Sequence, residues 1–268
     1  MKNHKLRFLS VQGADLDQYS LKLQELEKEF CYPFGDEFFR IDHGRNYFNF
    51  FRAIGKPTFK LALFEDRIVG CGAGVWRQIP HKNGFIDAWY LCDLKVSRDF
   101  QNYRIPKKLL MTGLFLDYIK CQRGYAISMN PAHGTNRIVT LLSKHFLLPF
   151  KQVGTLNFYS LSYAEIMRTM GDDPIFFSDC RFKNISDCKD LVMMKSGLSR
   201  PLLHFTAKDL QTYTAFSPTE RYTHLFCCIE GSEKNHFFQH RFSKSGSASI
   251  IGHRMNHIDW SFIETSEI

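Results

Sequence analysis

The stretch VSRDFQNYRIPKKLL, residues 96–110, decides the fold. An apolar strand running up to Val96 is followed by a short polar loop and then by an apolar helix that begins near Ile105. The N-terminus of such a helix presents unpaired backbone N–H groups and the positive end of the helix dipole. The turn is therefore suited to an anion such as a pyrophosphate. Four cations lie within it or directly after it: Arg98, Arg104, Lys107 and Lys108.

The segments on either side of this stretch alternate between strand and helix periods. Two helices precede a hairpin and a third long strand. The helix that begins near Ile105 is followed by a strand, a helix and a strand. This order predicts an α/β fold with a mixed, mainly antiparallel sheet. Gly70, Gly72 and Gly74 share one strand, where glycine permits bulging or close backbone approach. The predicted helices are 15–30, 45–54, 105–122 and 134–146, and the predicted strands are 59–64, 67–76, 86–96, 124–129 and 154–161.

Beyond residue 172 the periodicity weakens. Thr206 is a candidate N-cap for a helix over residues 206–213. We predict a domain over residues 1–171 and a C-terminal extension over 172–268 that packs on the core or continues it. The candidate strands of the extension are 190–195, 222–229, 248–254 and 260–265.

The composition narrows the classes of partner. A formal net charge of +8 suits nucleic acid and any other anionic ligand equally well. The sequence has no basic stripe with interleaved aromatic residues, which argues against a nucleic-acid partner. The 26 phenylalanines indicate an aromatic core or an apolar pocket.

The N-terminal residues and the cysteines indicate a compartment. Residues 1–18 lack an apolar signal segment, and no apolar run approaches the length that spans a bilayer. The eight cysteines form no C-x-x-C pair, so they are expected to be reduced thiols rather than disulfides or metal ligands. We therefore expect a soluble, cytoplasmic protein without a membrane partner or a metal. The oligomeric state stays open.

The loop resembles the acetyl-CoA loop of the GNAT (GCN5-related N-acetyltransferase) superfamily. In that family an apolar strand ending in Val leads through an acidic residue, an aromatic residue and Gln or Arg to two small residues and a Leu-rich helix. Arg104 and Pro106 stand where the two small residues belong, and Arg98 replaces a Pro. The positions that match the family pattern are Val96, Asp99, Phe100, Gln101, Ile105, Leu109 and Leu110.

The resemblance extends over about residues 58–162. Residues 136–142, NRIVTLL, are similar to a downstream family motif, with Ser143 at the position of the usual Tyr. The strand AWYLCDLKV, the segment SMNP and the tail ASIIGHRMNHIDWSFIET are similar to those of bacterial GNAT-like proteins of unassigned substrate. The resemblance implies the acyl-CoA N-acyltransferase fold, with the residues after 172 as an integral extension.

The resemblance also implies a set of contacts to acetyl-CoA. The backbone of Leu94 and Val96 would hold the pantetheine and polarise the thioester, and Asn130 would hydrogen-bond the pantetheine. Asn136 is either a cofactor contact or a residue at the start of a helix. The pyrophosphate would be held by the loop residues Arg98, Gln101, Asn102, Tyr103, Arg104, Ile105, Pro106 and Lys107. Pro106 has no N–H to offer, whereas Arg104 can contact phosphate through its guanidinium.

The strand before the loop carries the candidates for catalysis. In the family a base often lies four or six residues before the Val, which gives Cys92 and Tyr90 here. Asp93 is the carboxylate on the part of this strand nearest the loop, and it is our first choice as the acid–base residue. Its alternative role is a structural carboxylate, and the alternative for Cys92 as a nucleophile is a buried thiol. His133 and His145 are further acid–base candidates.

The expected function is transfer of an acyl group, in the first place acetyl, from CoA to a small-molecule or peptide amine. Two alternatives stay open. One is a non-catalytic module of the same fold that binds CoA or another anion. The other is an acyltransferase that uses an aminoacyl or carrier-bound donor.

Overall fold

Two kinds of element, long strands and short helices, make up the computed structural model. It describes residues 6–34, 37–112, 114–144, 149–173, 180–184, 188–207, 218–221 and 223–268. The helices are α1 (Ser20–Glu27), α2 (Asn49–Ile54), α3 (Ile105–Met111), α4 (Leu114–Lys120), α5 (Arg137–Lys144), α6 (Tyr163–Asp172) and α7 (Glu233–Gln239). The strands are β1 (Arg7–Gln12), β2 (Tyr32–Phe34), β3 (Glu37–Asp42), β4 (Lys56–Phe64), β5 (Arg67–His81), β6 (Gly84–Val96), β7 (Gly124–Met129), β8 (Lys151–Leu161), β9 (Cys180–Asn184), β10 (Asp190–Met193), β11 (Ser199–Arg200), β12 (Leu203–Ala207), β13 (His224–Ile229) and β14 (Gly246–His253).

Eight of these strands form the main sheet, in the order β1-β4-β5-β6-β7-β14-β8-β13. Its neighbouring strands are antiparallel except for β6 and β7, which run parallel. The predicted fold class, a mixed and mainly antiparallel sheet in an α/β fold, is confirmed. A four-stranded sheet, β11-β10-β3-β2, and the pair β12-β9 complete the described strands.

The parallel pair β6–β7 is short. Residues 89–91 of β6 pair with residues 124–126 of β7, and the pairing stops there although both strands continue. The two strands therefore diverge beyond Leu91, and a gap opens in the middle of the sheet. Because β6 pairs with β5 along its whole length, the gap lies on one side of β6 only.

A β-bulge interrupts β6 beside this gap. Ala73 pairs with Cys92 and Cys71 pairs with Lys95, so two residues of β6, Asp93 and Leu94, lie opposite one residue of β5. Asp93 has φ +58°. This left-handed conformation costs a non-glycine residue roughly 1–2 kcal/mol, so the surrounding contacts have to hold it.

The bulge also reverses which face of the sheet the following side chains reach. Leu91, Leu94 and Val96 all pack in the small clusters beneath α3 and α5. Regular alternation would place residue 95 on that same side with residue 91, yet Lys95 points to the opposite face, toward α1. The inserted residue is what delivers the Lys95 side chain to the face that carries α1 and α2.

Helix α3 packs closely on β5. A Cβ on Gly70 would lie 2.8 Å from Cγ2 of Ile105, so the glycine permits this approach. Ile105 and Leu109 are buried there with Ala62 and Val69. The contact fixes the start of α3 at the end of the loop that follows β6.

Part of segment 172–268 continues the main sheet. β14 lies between β7 and β8, and β13 extends the sheet beyond β8. An internal strand of the sheet therefore comes from the predicted extension. The boundary at residue 171 stays a prediction.

Several element predictions need correction. The predicted strand 260–265 instead holds two 3-10 turns, Trp260–Phe262 and Thr265–Glu267, because Trp260 packs on Tyr125 rather than continuing a ladder. The predicted helix 206–213 is wrong at its start, where Thr206 and Ala207 pair with β9, and residues 208–213 lie outside the described residues. β1 was not predicted, nor was α6, although Ser162 and Glu165 form a capping box at its start.

The helices near the site are shorter than their periodicity predicts. The segment 15–30 is a 3-10 turn, Gly13–Tyr19, followed by α1, and the segment 105–122 contains α3 and α4. Thr112 adopts an extended conformation (ψ 107°) and ends α3. Among the residues described, none of the helices is both long enough and apolar enough for a bilayer span.

Candidate active site

A cavity of about 1080 Å³ lies at the gap between β6 and β7. Its walls include side chains from both faces of the sheet. Gly74 and Leu91 face α3 and α4, whereas Ala73 and Cys92 belong to the opposite face. The cavity therefore crosses the sheet, so that groups entering from opposite faces can meet at the bulge.

On the α3 and α4 side the cavity is an apolar slot. Gly72 and Gly74 leave this part of β5 without side chains, and Leu91 and Ala126 flank the slot from β6 and β7. Leu109 and Leu142 close it from α3 and α5. The slot suits a narrow, mainly apolar chain.

The predicted cofactor loop lies next to this slot. Residues 98–103 form a 3-10 turn, Arg104 is left-handed with φ 56° and ψ 27°, and Pro106 occupies the first turn of α3. Arg104 thus takes up a backbone conformation that favours glycine, which agrees with the small residue expected there. The polar side chains of the loop are exposed: Arg98, Gln101, Asn102, Tyr103, Arg104 and Lys107.

Not every predicted contact residue reaches the cavity. Leu94 and Lys95 before the loop and Leu109 after it line the wall, whereas Val96 and the other residues of the described segment 96–108 do not. Ile105 is fully buried beneath α3. The loop therefore lies outside the slot, between the wall residues Leu94 and Leu109 in the chain, and we call its exposed residues the rim.

Asn130 and Asn136 link the ends of β7, β14 and α5. Asn136 is the residue before α5, and its carboxamide oxygen accepts from the backbone N–H of Ile138 at 3.1 Å. Its Nδ2 donates to the Asn130 side-chain oxygen at 3.0 Å, and Asn130 Nδ2 donates to Ser247 at 3.1 Å. The structure thus places Asn136 in its alternative role at a helix start, and contact of either residue with CoA stays a prediction.

A buried ionic cluster lies beneath the bulge on the α1 and α2 face. The ammonium group of Lys95 donates to Glu27, to Asp93 and, at 2.8 Å, to the hydroxyl of Tyr47. The Tyr47 hydroxyl donates to Asp93 Oδ2 at 2.7 Å. The side chains of Lys95, Glu27 and Asp93 are only 4%, 6% and 5% exposed. This network holds Asp93 in its left-handed conformation.

The charges in this cluster support one another. Burial acts to lower the pKa of Lys95, but Asp93, the tyrosines and Glu27 outweigh burial and raise it well above its ordinary value. Burial acts to raise the pKa of Glu27, but Lys95 and His43 outweigh burial and lower it to about 2. Lys95 is therefore an ammonium and Glu27 an ionised carboxylate at neutral pH.

Asp93 presents its main chain, rather than its carboxylate, to the cavity. The residue as a whole is half-buried, whereas its side chain is only 5% exposed. Its carboxylate accepts from Lys95 and Tyr47, so the exposed part is the backbone at the bulge. Asp93 as the acid–base residue stays a prediction, and the geometry also matches the structural role considered for it.

His43 lies against the cluster and lines the cavity. Its Nε2 is 3.8 Å from Glu27 Oε2, and its ring centroid is 4.1 Å from that of Tyr47. The residue is 3% exposed, and neither ring nitrogen has a hydrogen-bond partner among the described residues. Burial lowers the pKa of this imidazole, so it is neutral at pH 7.

The cluster has the spacing of a metal site, but a lysine already supplies the cation. Potential ligand atoms of Glu27, His43 and Asp93 lie within 4.8 Å of one another. The ammonium of Lys95 is bonded to both carboxylates of that set. A divalent ion would have to displace this ammonium or bind beside it against charge repulsion, so the residues present do not fit a metal.

Tyr90 and Cys92, the other predicted catalytic residues, lie on the α1 and α2 face. The Tyr90 hydroxyl donates to the backbone carbonyl of Glu267, and burial raises its pKa well above the ordinary value. Burial likewise raises the pKa of the Cys92 thiol, which disfavours the thiolate that a nucleophile needs. Both roles stay predictions.

Lys189 completes the wall near Cys92. Its ammonium group donates to the carbonyls of Ser266, at 2.9 Å, and of Ile268. It also lies 4.6 Å from the ring centroid of Phe50. Burial lowers the pKa of Lys189 to about 8, so it is partly neutral near physiological pH.

Sequence reasoning missed the residues that surround Asp93. Glu27 carried one signal, because it follows Leu23 and Leu26 on a helix face predicted to be apolar. Tyr47 was marked only as part of the aromatic helix predicted over 45–54, and His43 carried no signal, since its place in the fold depends on tertiary contacts. Of the two histidines that were considered, His133 is exposed at the cavity wall and His145 lies outside the described residues.

Comparison with known proteins gives structural similarity only. No protein-family model and no curated protein sequence matches the chain. ElaA from Escherichia coli is similar with 12% identity and a TM-score of 0.37, covering 56% of this chain and 90% of its own. Naa50 from Arabidopsis thaliana, in complex with the bisubstrate analogue CoA-Ac-MVNAL, has 18% identity and a TM-score of 0.38, covering 56% and 85%.

A GNAT-family acetyltransferase from Staphylococcus aureus Mu50 shows a comparable similarity, with 17% identity, a TM-score of 0.36 and coverage of 55% of this chain and 86% of its own. At these identities and scores the neighbours carry no information about this chain's substrate. The topology itself is the stronger observation. The strand order, the diverging parallel pair β6–β7 and the bulge at Asp93 agree with the mixed, mainly antiparallel sheet in an α/β fold that the sequence predicts.

Proposed function

We propose that this protein is an N-acyltransferase that transfers an acyl group, in the first place acetyl, from CoA to an amine. The observation that carries the proposal is the cavity at the bulged, diverging end of β6. It connects an apolar slot on one face of the sheet with an aromatic region on the other. Such a passage lets a thioester held on one face of the sheet meet an amine that enters from the other face. The amine nitrogen can then reach the thioester carbonyl carbon, as direct acyl transfer requires.

The residues around the slot fit a CoA thioester. The apolar slot between β6 and β7 suits the pantetheine, with the backbone of Leu94 as a hydrogen-bonding edge, whereas Val96 lies outside the wall of the cavity. The exposed rim around Arg104 suits the pyrophosphate. The Arg104 guanidinium can donate hydrogen bonds to phosphate in place of the backbone N–H that Pro106 lacks. Acetyl-CoA would supply the activated acyl group.

The bulge gives the chain a means of polarising a carbonyl. Backbone N–H groups freed from the ladder stabilise negative charge on an oxygen when they are held in place before the reaction. Asp93 and Leu94 are the two residues at the bulge, and their main chain lines the gap. The bonds from Lys95 and Tyr47 to the Asp93 carboxylate hold this segment rigid.

The proposal is tested in two steps. Calorimetry with CoA and acetyl-CoA should show binding at a dissociation constant of about 1 mM or tighter. A thiol-release assay with acetyl-CoA and a panel of primary amines should then show turnover above the rate without protein. Absence of CoA binding at millimolar concentration would refute the proposed donor.

A second candidate function is a CoA-binding module without chemistry. Arg104 and Pro106 at the two small-residue positions, and Ser143 in place of the usual Tyr, favour it. It predicts CoA binding without thiol release for any amine. An aminoacyl or carrier-bound donor is supported by the exposed cations of the rim, and it predicts turnover with such a donor but not with acetyl-CoA.

A further inference from the structure

The part of the cavity on the α1 and α2 face is an aromatic arm. Its outer end lies at Cys31 and Phe38, both of which are exposed. Farther in, its walls include buried aromatic rings and His43, which lies against the ionic cluster. The side chains that form this arm are Tyr32, Phe38, Phe39, Ile41, Phe50 and Phe51. The arm offers a mainly apolar surface, with polar groups at His43 and at Lys189, whose ammonium lies 4.6 Å from the ring centroid of Phe50.

The imidazole of His43 makes no hydrogen bond to the described residues, and its nearest charged neighbour is Glu27, 3.8 Å from Nε2. A buried donor or acceptor with no hydrogen bond costs roughly 1–3 kcal/mol, so natural proteins rarely keep one without a use. Tyr47 and Phe51 pack against the ring, with centroids 4.1 Å and 5.8 Å away, and hold its orientation. The ring therefore stays in place at the end of the arm with its nitrogens available to a ligand.

Opposing effects act on a proton at His43. Burial, the largest effect, lowers its pKa and the ammonium of Lys95 acts in the same direction, whereas Glu27 and Asp93 act to raise it. His43 Nε2 is 3.8 Å from Glu27, which would stabilise the imidazolium. The titratable groups that face the ring or influence its surroundings are Glu27 from α1, Tyr32 from β2, Tyr47 before α2, Asp93 and Lys95 from β6, and Lys189 before β10.

We propose that the aromatic arm is the acceptor site, that it binds a small primary amine carried on an apolar body, and that His43 is the base that deprotonates this amine. Glu27 is a positioning residue that acts through His43. The inference rests on the proposed function and names the acceptor class and the base for the same site.

The proton and electron balance is simple. His43 takes one proton from the ammonium form of the acceptor and leaves a neutral amine. The nitrogen lone pair forms the N–C bond to the thioester carbonyl carbon, and the C–S bond breaks with its electron pair on sulfur. The remaining excess proton on nitrogen reaches the thiolate through water, and the imidazolium returns its proton to solvent. The products are an amide, CoA thiol and one proton.

The acceptor class is tested with a matched pair of amines. 2-Phenylethylamine and ethanolamine have amino groups of similar basicity and differ in the group that the arm would bury. The arm predicts kcat/KM for 2-phenylethylamine at least about tenfold higher, as expected for burial of a phenyl ring. Spermidine and a short peptide complete the panel. A preference for ethanolamine, spermidine or the peptide would overturn the proposed acceptor.

The base is tested with His43→Gln and His43→Asn, and His240→Gln is the control because His240 is exposed at the end of α7. Loss of the base should lower kcat by roughly 10²- to 10⁴-fold without weakening CoA binding in calorimetry. Because burial lowers the pKa of His43, the wild-type kcat at saturating amine should fall in acid with a midpoint below the ordinary imidazole value, and the variants should lose this acid limb. His240→Gln should match the wild type.

The outcomes separate this inference from the proposed function. If the wild type neither binds CoA nor releases thiol, the proposed function itself fails. If the wild type turns over and a folded His43 variant keeps both its rate and its pH limb, His43 is not the base. If both His43 variants fail to fold, the wild-type profile decides, and a kcat without an acid limb over the whole acid range in which the protein stays folded refutes the assignment.

Discussion

Replacing Lys95 by Met should destabilise the protein strongly. The change removes the ammonium that bonds Glu27 and Asp93, and it leaves two carboxylates in a region where each side chain is at most 6% exposed. Removing one partner of a buried ion pair costs about 3–5 kcal/mol, because the remaining charge keeps its desolvation penalty. For a chain of this size the loss corresponds to roughly 6–20 °C in Tm.

Urea and thermal denaturation of the variant and the wild type provide the measurement. Lys28→Met is the matched control, since Lys28 also pairs with a glutamate, Glu25, but at the surface, where the side chains are 66% and 70% exposed. A surface pair of this kind contributes less than about 1 kcal/mol. The double variant Lys95→Met, Glu27→Gln should recover part of the loss, because it removes one of the two orphaned charges.

The pH dependence makes the prediction specific. Without the ammonium, burial raises the pKa of Glu27, so this carboxyl is protonated in mild acid and its part of the penalty disappears there. The destabilisation by Lys95→Met should therefore be largest near neutrality and shrink as the pH is lowered. A variant that unfolds with the wild-type midpoint at pH 7, or a penalty that grows in acid, would refute the ionic description of the cluster.

Two further predictions follow from single residues. The pKa of Glu27 lies at about 2 rather than its ordinary 4.5, so its contribution to stability is present above pH 4.5 and is lost as the pH falls toward 2. The loss amounts to about 3 kcal/mol. The free energy of unfolding of Glu27→Gln, measured by urea denaturation, should therefore change less than that of the wild type between pH 4.5 and pH 2. Arg104→Ala should weaken CoA binding by about 1.5–3 kcal/mol in calorimetry, as expected for a charge-assisted bond to phosphate, with Lys22→Ala as an exposed control. Arg104→Gly should weaken it equally and leave stability within about 1 kcal/mol, because relief of the left-handed strain is offset by greater freedom of the unfolded chain. Unchanged affinity in both variants would show that the guanidinium does not contact the phosphates.

The local features of the fold were predictable from the sequence. The strand before the loop 97–104, the start of a helix at Ile105 and the mixed sheet all follow from periodicity and turn chemistry. The position of β14 did not follow, because its pairing with β7 and β8 joins segments more than 80 residues apart in the chain. Local patterns identify a strand, but they do not identify its neighbours.

The candidate site was predictable only in part, and the bulge is the reason. The strand pattern singled out Asp93 as the carboxylate nearest the loop, but regular alternation gives the wrong face for Lys95. One inserted residue with φ +58° reverses the alternation. The partners that explain the insertion, Glu27 and Tyr47, come from elements far away in sequence, so no local window contains the whole cluster.

The ionic cluster is best understood as a device that shapes the backbone. Well-packed apolar residues of similar volume often stabilise a protein as much as a buried ion pair or more, so stability alone does not explain why charges lie here. A left-handed Asp93 has to be held by directional bonds, and a hydrocarbon side chain offers none. The Asp93 carboxylate, fixed by Lys95 and Tyr47, orients the main chain at the one point where the sheet opens to both faces. The same cluster places Glu27 beside the imidazole of His43. The bonds that fix the bulge therefore also position the carboxylate next to the proposed base. The buried charges thereby connect the geometry of the gap with the chemistry proposed for it.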